Sequence, residues 1–399
     1  MKISLNRDFF IKHVFIYALV LNYVFDALNK FFGLYYPDLS RIGLLFRVSF
    51  QILIFILILI FLSRRRLNGL IIFAYYLICF LIANLSLKFD SSLSFSVLEQ
   101  FIYFNKYFFL LMAFFLFEEF LNNKENLNRV KNIFLKIFYF NGWLALIGFV
   151  FDLRLFRIFT QHETSLRFGY NGLINAINES SIFYLLAVVV VYHDWRYSAK
   201  KNHYFFLAVF FTLIVGTKAV YLGLFFLIIY HLITTINLKK LLIVFGAILT
   251  SSIILYMNIE RLRIVFGFIV YKANNVGLLY TFMGGRNELF LERFKGKINF
   301  VNLIRYLTIG DNVALKEKAY SIIEMDIIDV LLFFGLFNGL LYLMLFKRYI
   351  IGVINNKYYL FVVFLFFMIS FFSGHFFTSI VNGLYILIVF NYLRKYEYK

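Results

Sequence analysis

Apolar runs long enough to cross a lipid bilayer recur from one end of this chain to the other, and they leave few folds open. A hydrocarbon layer about 30 Å thick takes about 20 helical residues. Inside it every backbone N–H and C=O must be satisfied by the protein itself, which only helices and closed barrels achieve. A barrel would show alternating segments of about ten residues, whereas stretches such as "ILIFILILIFL" (52–62) are apolar on every face. Composition agrees: 62% of residues are hydrophobic and 15% charged, against about a quarter charged in soluble domains. The expectation is an all-α, polytopic membrane protein.

The apolar segments fall near 10–28, 42–62, 67–87, 97–117, 133–151, 180–195, 204–215, 219–234, 241–257, 327–346, 359–373 and 377–393, about twelve in all. Short basic connections mark the inner side of a membrane. With the N-terminus inside (Lys2, Arg7, Lys12), the connections holding Arg64–Arg66, 122–132, 196–202, 237–240, 347–357 and the C-terminal tail all fall inside, and all are basic. Merging 204–234 into one helix would put 237–240 and Lys347–Arg348 outside, so two helices separated by "GTK" (216–218) are expected. Two outer connections are then long, 152–179 and 258–326. The second is too long to be structureless and should carry short helices. A loop of that length also escapes the positive-inside rule. Residues 1–399 read as a single integral membrane domain with both termini cytoplasmic.

The formal net charge of +19 would point to nucleic acid in a soluble protein; here basic inner loops account for it, and no nucleic-acid partner is expected. One cysteine, Cys79, supports neither a disulfide nor a thiolate metal site. The first apolar segment has no small-residue cleavage pattern and reads as a retained helix. Neither a GxxxxGK[ST] loop nor a GxGxxG fingerprint is present, so nucleotide-driven cytoplasmic chemistry is not expected.

Five polar clusters interrupt the apolar pattern, all on the side read as outer. In "GGRNELFLERFKGK" (284–297) a helix opened by the two glycines would bring Arg286, Arg293 and Lys297 within about 40° of one another, with Glu288 and Glu292 opposite. Such a stripe suits a phosphate or diphosphate; it equally suits lipid headgroups under an interfacial amphipathic helix. In "RFGYNGLINAINESS" (167–181), Arg167 precedes Asn171, Asn175, Asn178 and Glu179, which share one face if helical. Amides both donate and accept, as sugar hydroxyls require; capping and loop solvation are the plain alternative. Lys218, at the break between two short segments, could bind phosphate or snorkel to the interface. His375, in "SGHFFTS", could be a general base near neutral pH or a structural hydrogen-bonding group. Glu324 and Asp326 lead into an apolar helix, with Asp329 one turn deeper. They could ligate a divalent metal, but a carboxylate pairing an arginine is simpler, and no metal is proposed. Glu99, Lys106, Asp26 and Arg47 are intramembrane charges that either pair structurally or line a cavity.

In the order and spacing of these motifs the chain resembles the O-antigen polymerase (Wzy) family, within the wider group that includes O-antigen ligases. Arg167 with "NGLINAIN", "GTKAVYLGL", "GGRNELF", "EMDIIDVLLFFGLFNGLLYL" and "SGHFFTSIVNGLYILI" carry the likeness, with Lys218 standing where arginine is frequent. The resemblance implies a glycosyltransferase-C-like membrane fold in the bacterial cytoplasmic (inner) membrane. It also implies undecaprenyl-diphosphate-linked oligosaccharides as substrates, a chain-length regulator as a partner and no cofactor. On this reading Arg286 is the main diphosphate contact, supported by Arg167, Lys218, Arg293 and Lys297. His375 positions the acceptor hydroxyl, with Glu324 or Asp326 in reserve, and Asn171, Asn175 and Asn178 contact sugars. A ligase shares the donor chemistry and differs in acceptor. A flippase for the same lipid would place charges through the membrane depth.

Overall fold

A computed structural model describes residues 7–39, 42–88, 97–158, 169–198, 204–235, 274–275, 277, 280, 285–294, 300–310 and 323–395. Every regular element among them is helical: α1 (Arg7–Tyr35), α2 (Ile42–Ile60), α3 (Arg64–Lys88), α4 (Val97–Asn122), α5 (Lys124–Phe151), α6 (Ile177–Tyr197), α7 (Phe205–Ile214), α8 (Lys218–Thr235), α9 (Arg286–Phe294), α10 (Phe300–Thr308), α11 (Asp326–Phe334), α12 (Leu336–Phe346), α13 (Lys357–Ser373) and α14 (Ile380–Lys395). Short 3-10 turns follow α1 and α5. Among the described residues, six helices are long and apolar enough to cross a membrane. The expected segment 241–257 lies outside the described residues.

Contacts divide the chain into two compact units, Met1–Tyr221 with Phe300–Lys399, and Leu222–Asn299. In the first, α14 packs against α1, α4, α5 and α6. It is the axis of the unit: its residues from Ile380 to Leu393 are all buried, and α6 is buried from Ser180 to His193. Glycine permits the closest of these approaches. A Cβ added at Gly383 would meet the Phe109 ring at 2.6 Å, and one at Gly142 the Phe211 ring at 2.2 Å. Small residues at helix contacts are the usual means of packing in lipid, where burial supplies no hydrophobic force between helices. The outward faces of α2 and α3 expose Leu45, Ile52, Ile56, Leu59, Ile71, Ile78 and Leu81, an apolar belt suited to acyl chains.

The "GTK" break is present: α7 ends at Ile214, Gly216 takes φ +73°, and α8 starts at Lys218. The expected continuous segment 327–346 is instead two helices, broken at Gly335 with φ +83°. The reason is tertiary. Gly310 fits so closely against this break that a Cβ there would lie 2.3 Å from the Phe333 carbonyl oxygen. Asn338 Nδ2 secures the contact by donating to the Thr308 carbonyl at 2.7 Å.

The first unit has two chemically distinct ends. At one, Arg7 pairs with Glu119 (2.8 Å), Arg65 with Glu118 (2.9 Å), and Lys395 Nζ donates to the Leu121 carbonyl (2.7 Å). Nearby, Lys131 meets Asp194 at 2.9 Å. Cations of several connections that alternate along the sequence therefore gather in space. The opposite end holds the polar groups described next.

In the second unit, α9 begins directly after Gly285, which takes φ +87°. A helix opened by glycine was expected there. It runs to Phe294, so positions 286 and 293 share one helical face two turns apart, and Lys297 lies outside the described residues.

Candidate functional site

The polar end of the first unit is built on α1. Asn22, Asp26 and Lys30 recur every four residues and so share one helical face. Each finds a distant partner. Asn22 Nδ2 donates to the Val381 carbonyl (2.8 Å). Asp26 pairs with Arg47 of α2 and accepts from the Asn175 backbone N–H (2.9 Å). Lys30 Nζ donates to Asn171 Oδ1 (2.6 Å) and to the Gly172 carbonyl (2.7 Å). Asp26 and Lys30 are buried, 1% and 4% exposed. Buried charges persist when they are paired or hydrogen-bonded; Asp26 has Arg47 and a backbone donor, and Lys30 has two acceptors.

Asn141 of α5 closes the network. Its Nδ2 donates to the Asn171 carbonyl and to the Tyr184 hydroxyl, both at 2.9 Å. Its Oδ1 accepts from the Leu173 N–H (2.8 Å) and the Tyr23 hydroxyl (3.0 Å). Residues 171–176 are consequently an irregular turn, and α6 begins only at Ile177. The single helical face expected for Asn171, Asn175, Asn178 and Glu179 is not formed, because Lys30 and Asn141 hold the first of these residues out of the helix. Asn171 is fully buried and its own Nδ2 donates to the Ile174 carbonyl (2.7 Å). It therefore supports the turn and presents no amide to a sugar. Asn175 is exposed and Asn178 half-buried, so these two face outward.

The strand of chain leading to this turn is fastened too. Ile158 N–H donates to the Gly169 carbonyl (3.0 Å), Asn171 N–H to Phe156 (3.0 Å) and Tyr170 N–H to Ile214 (2.9 Å). Asp152 accepts from Arg157 Nε at 2.8 Å and from the Tyr170 hydroxyl. Hydrogen bonds from Arg157, then from Tyr170, hold its carboxyl below the usual range.

A second group lies on the turn 374–379 and the start of α11. Asp326 is buried, and its Oδ1 accepts from the His375 N–H (2.6 Å) while Oδ2 accepts from those of Phe376 and Phe377 (3.1 Å for the latter). Asp329 accepts from Ile323 N–H (3.0 Å) and Met325 N–H (2.9 Å). Glu324 and His375 stand opposite one another, each non-glycine and each left-handed, with φ of +62° and +67°. Their side chains approach to 4.0 Å, Nε2 to Oε1, both partly exposed. Gly374 makes this possible: an added Cβ would sit 2.8 Å from the Glu324 carbonyl oxygen. Asp326, 2% exposed, is therefore an anchor for the backbone of 375–377. Glu324 is the carboxylate His375 meets.

The two groups are continuous. Ser379 Oγ donates to Glu179 Oε1 (3.3 Å), and Asn382 Nδ2 to the Glu179 carbonyl (2.8 Å). The chain from His375 to Ser379 thus runs from one group to the other.

Of the cations expected at the site, Lys218 is exposed at the first position of α8. Arg286 begins α9 in the second unit and is half-buried. Arg293 is within α9; its side chain, Arg167 and Lys297 lie outside the described residues. Sequence reasoning did not single out Lys30, Asn141, Ser379 or Asn382. The four-residue recurrence of Asn22, Asp26 and Lys30 is the local signal that marked the first of them.

Fold and composition together define a helical membrane protein. Comparison with protein-family models, with curated proteins and with solved structures found no match, so the family resemblance rests on the motifs in the sequence.

Proposed function

We propose that the chain is a glycosyltransferase of lipid-linked glycans, of the O-antigen polymerase kind. A growing glycan would be transferred from undecaprenyl diphosphate to the terminal sugar of a second lipid-linked repeat unit, at the outer face of a bacterial inner membrane crossed about twelve times. The reading takes the basic end of the first unit as cytoplasmic. The observation that carries it is the gathering of Asp26, Lys30, Arg47, Glu179, Glu324 and His375 at the other end, on segments far apart in sequence.

The chemistry follows from these residue types. The acceptor hydroxyl oxygen bonds to the donor's anomeric carbon, and the bond from that carbon to the phosphate oxygen breaks. The lipid diphosphate leaves with the electron pair. It is already a stable anion and needs positive charge more than a proton; Arg286 has this role, with Arg167, Lys218, Arg293 and Lys297 in support. His375 takes the hydroxyl proton, oriented by Glu324, and Asn175 and Asn178 hold sugar hydroxyls.

Purified protein given lipid-linked repeat units should build a ladder of chain lengths. Arg286→Ala should abolish extension in a protein that still elutes as folded. A full ladder from that variant removes Arg286 from the mechanism; no ladder from the wild type removes the function.

A further inference from the structure

Helices α3 and α4 run antiparallel and meet through aromatic pairs in a fixed register. Tyr76 meets Phe108 with ring centres 5.1 Å apart, and Phe80 meets Phe104 at 4.9 Å. Each step is four residues forward on α3 and four back on α4, so the next pair is Asn84 with Gln100. Rings give way there to two carboxamides, both buried, Asn84 6% and Gln100 2% exposed. Asn84 Nδ2 donates to the Phe80 carbonyl of its own helix at 2.8 Å. Among the described residues, Asn84 Oδ1 and both polar atoms of Gln100 have no hydrogen-bond partner. The third side follows the same steps: the Tyr76 hydroxyl donates to the Asn338 carbonyl (2.8 Å), Phe333 lies 6.4 Å from Phe80, and Asp329 comes next along α11. The Asp329 carboxylate accepts from the Ile323 and Met325 N–H groups, so this level lies beside the turn that carries Glu324.

We infer that Asn84 and Gln100 form a subsite for an uncharged sugar substituent, a hydroxyl or acetamido group. Buried polar atoms are nearly always hydrogen-bonded, and each exception calls for a cause. Pairing the two side chains would satisfy Asn84 Oδ1 through Gln100 Nε2 and still leave Gln100 Oε1 bare. A carboxamide offers donors and an acceptor together, and a hydroxyl or acetamido group answers both. A phosphate brings acceptors only and would face two bare oxygens; a cation would satisfy the oxygens and leave Gln100 Nε2 bare. The Phe80 and Phe104 rings, with the exposed Phe101 ring 6.2 Å from Phe80, supply the apolar lining that ligand pockets combine with a few polar groups. The amides are closed over in this arrangement, so a ligand enters by parting α3 from α4 at this level. The missing hydrogen bonds already weigh against the closed form. Naming a sugar rests on the glycan-transfer reading above; the unsatisfied amides do not.

The test uses the full chain in nanodiscs, with thermal unfolding as the readout. Two probes are compared: the undecaprenyl-diphosphate-linked repeat unit extracted from the native host, and undecaprenyl diphosphate without sugar. The repeat unit should protect the wild type more than the bare lipid does. In Gln100→Met, close in shape to glutamine, and in Asn84→Leu that surplus should vanish. Apparent affinity for the repeat unit should fall roughly fivefold or more, the worth of one neutral hydrogen bond. The bare lipid should protect all three alike. Without ligand, Gln100→Met should unfold no earlier than the wild type, because an unpartnered amide is replaced by an apolar chain. Three results would each overturn the inference: equal protection of the wild type by both lipids, an undiminished surplus in both variants, or early unfolding of unliganded Gln100→Met, which would reveal an internal partner. Chain-length ladders are scored separately. A ladder from the wild type with an undiminished surplus in the variants sinks the subsite and leaves the transferase standing. No ladder, with the surplus lost in Gln100→Met, sinks the transferase and leaves the subsite standing.

Discussion

Lys30 Nζ sits 2.6 Å from Asn171 Oδ1, although 141 residues separate them. The same ammonium holds the Gly172 carbonyl, so one side chain of α1 sets the shape of the turn that precedes α6. Lys30→Met should leave two buried acceptors without their donor and remove a positive charge within electrostatic reach of Asp26. A destabilisation of about 2–4 kcal/mol is expected, combining unsatisfied acceptors with a broken buried charge network. Thermal unfolding in detergent measures it. Asn171→Ala should destabilise as well, and the double variant should fall short of the sum, since both remove one contact.

The grip of Asp326 on the turn 375–377 makes a prediction about local order. Asn at this position offers one accepting oxygen where three N–H groups converge. Asp326→Asn should therefore speed hydrogen exchange at the amides of His375, Phe376 and Phe377 by roughly tenfold or more, with a loss of about 1–3 kcal/mol. Exchange at α14 beyond Asn382 should change less. Unaltered exchange at the three amides would contradict the anchoring role.

Close helix packing at glycine is open to a steric test. Gly383→Val places a branched side chain against the Phe109 ring, where even a Cβ would intrude at 2.6 Å. Overpacking of this kind costs about 1–3 kcal/mol or more. Phe109→Ala in the same background should recover part of the loss, which a melting comparison of the single and double variants reads out.

Asp152 carries a pH dependence whose sign is fixed by its depressed carboxyl. Folding with Arg157 and Tyr170 favours the ionised form, so the contribution is complete above the unfolded carboxyl pKa of about 3.9. It fades as pH falls through the lower folded value. The melting difference between wild type and Asp152→Asn should be level above about pH 5 and shrink toward nothing below the ordinary carboxyl range. As an exposed contact its effect is small, and limited proteolysis near 157–170 is the more sensitive measure.

Much of this architecture is legible in the residues themselves, because the constraint that shapes it is local. A run such as 52–62 must be helical in lipid whatever its neighbours do, and "GTK" between two short runs marks a break that α7 and α8 show. Charge placement was legible for the same reason. The interior of the site was not. Asn171 has the spacing of a helical stripe with Asn175 and Glu179, yet Lys30 and Asn141 pull it into a turn, and no local pattern records partners 141 and 30 residues away. Asp326 likewise reads as a free acid beside Glu324 until the returning chain at 375–377 supplies three donors. The break at Gly335 is intermediate: a glycine within an apolar run is visible, while the Gly310 backbone that presses on it is not.

The turn from Gly374 to Ser379 is fastened at the front by Asp326 and at the rear by Glu179. Its length is fixed, so it works as a tie between α11 and α6. A shift of either helix relative to the other would reach the backbone beside His375 through these two carboxylates.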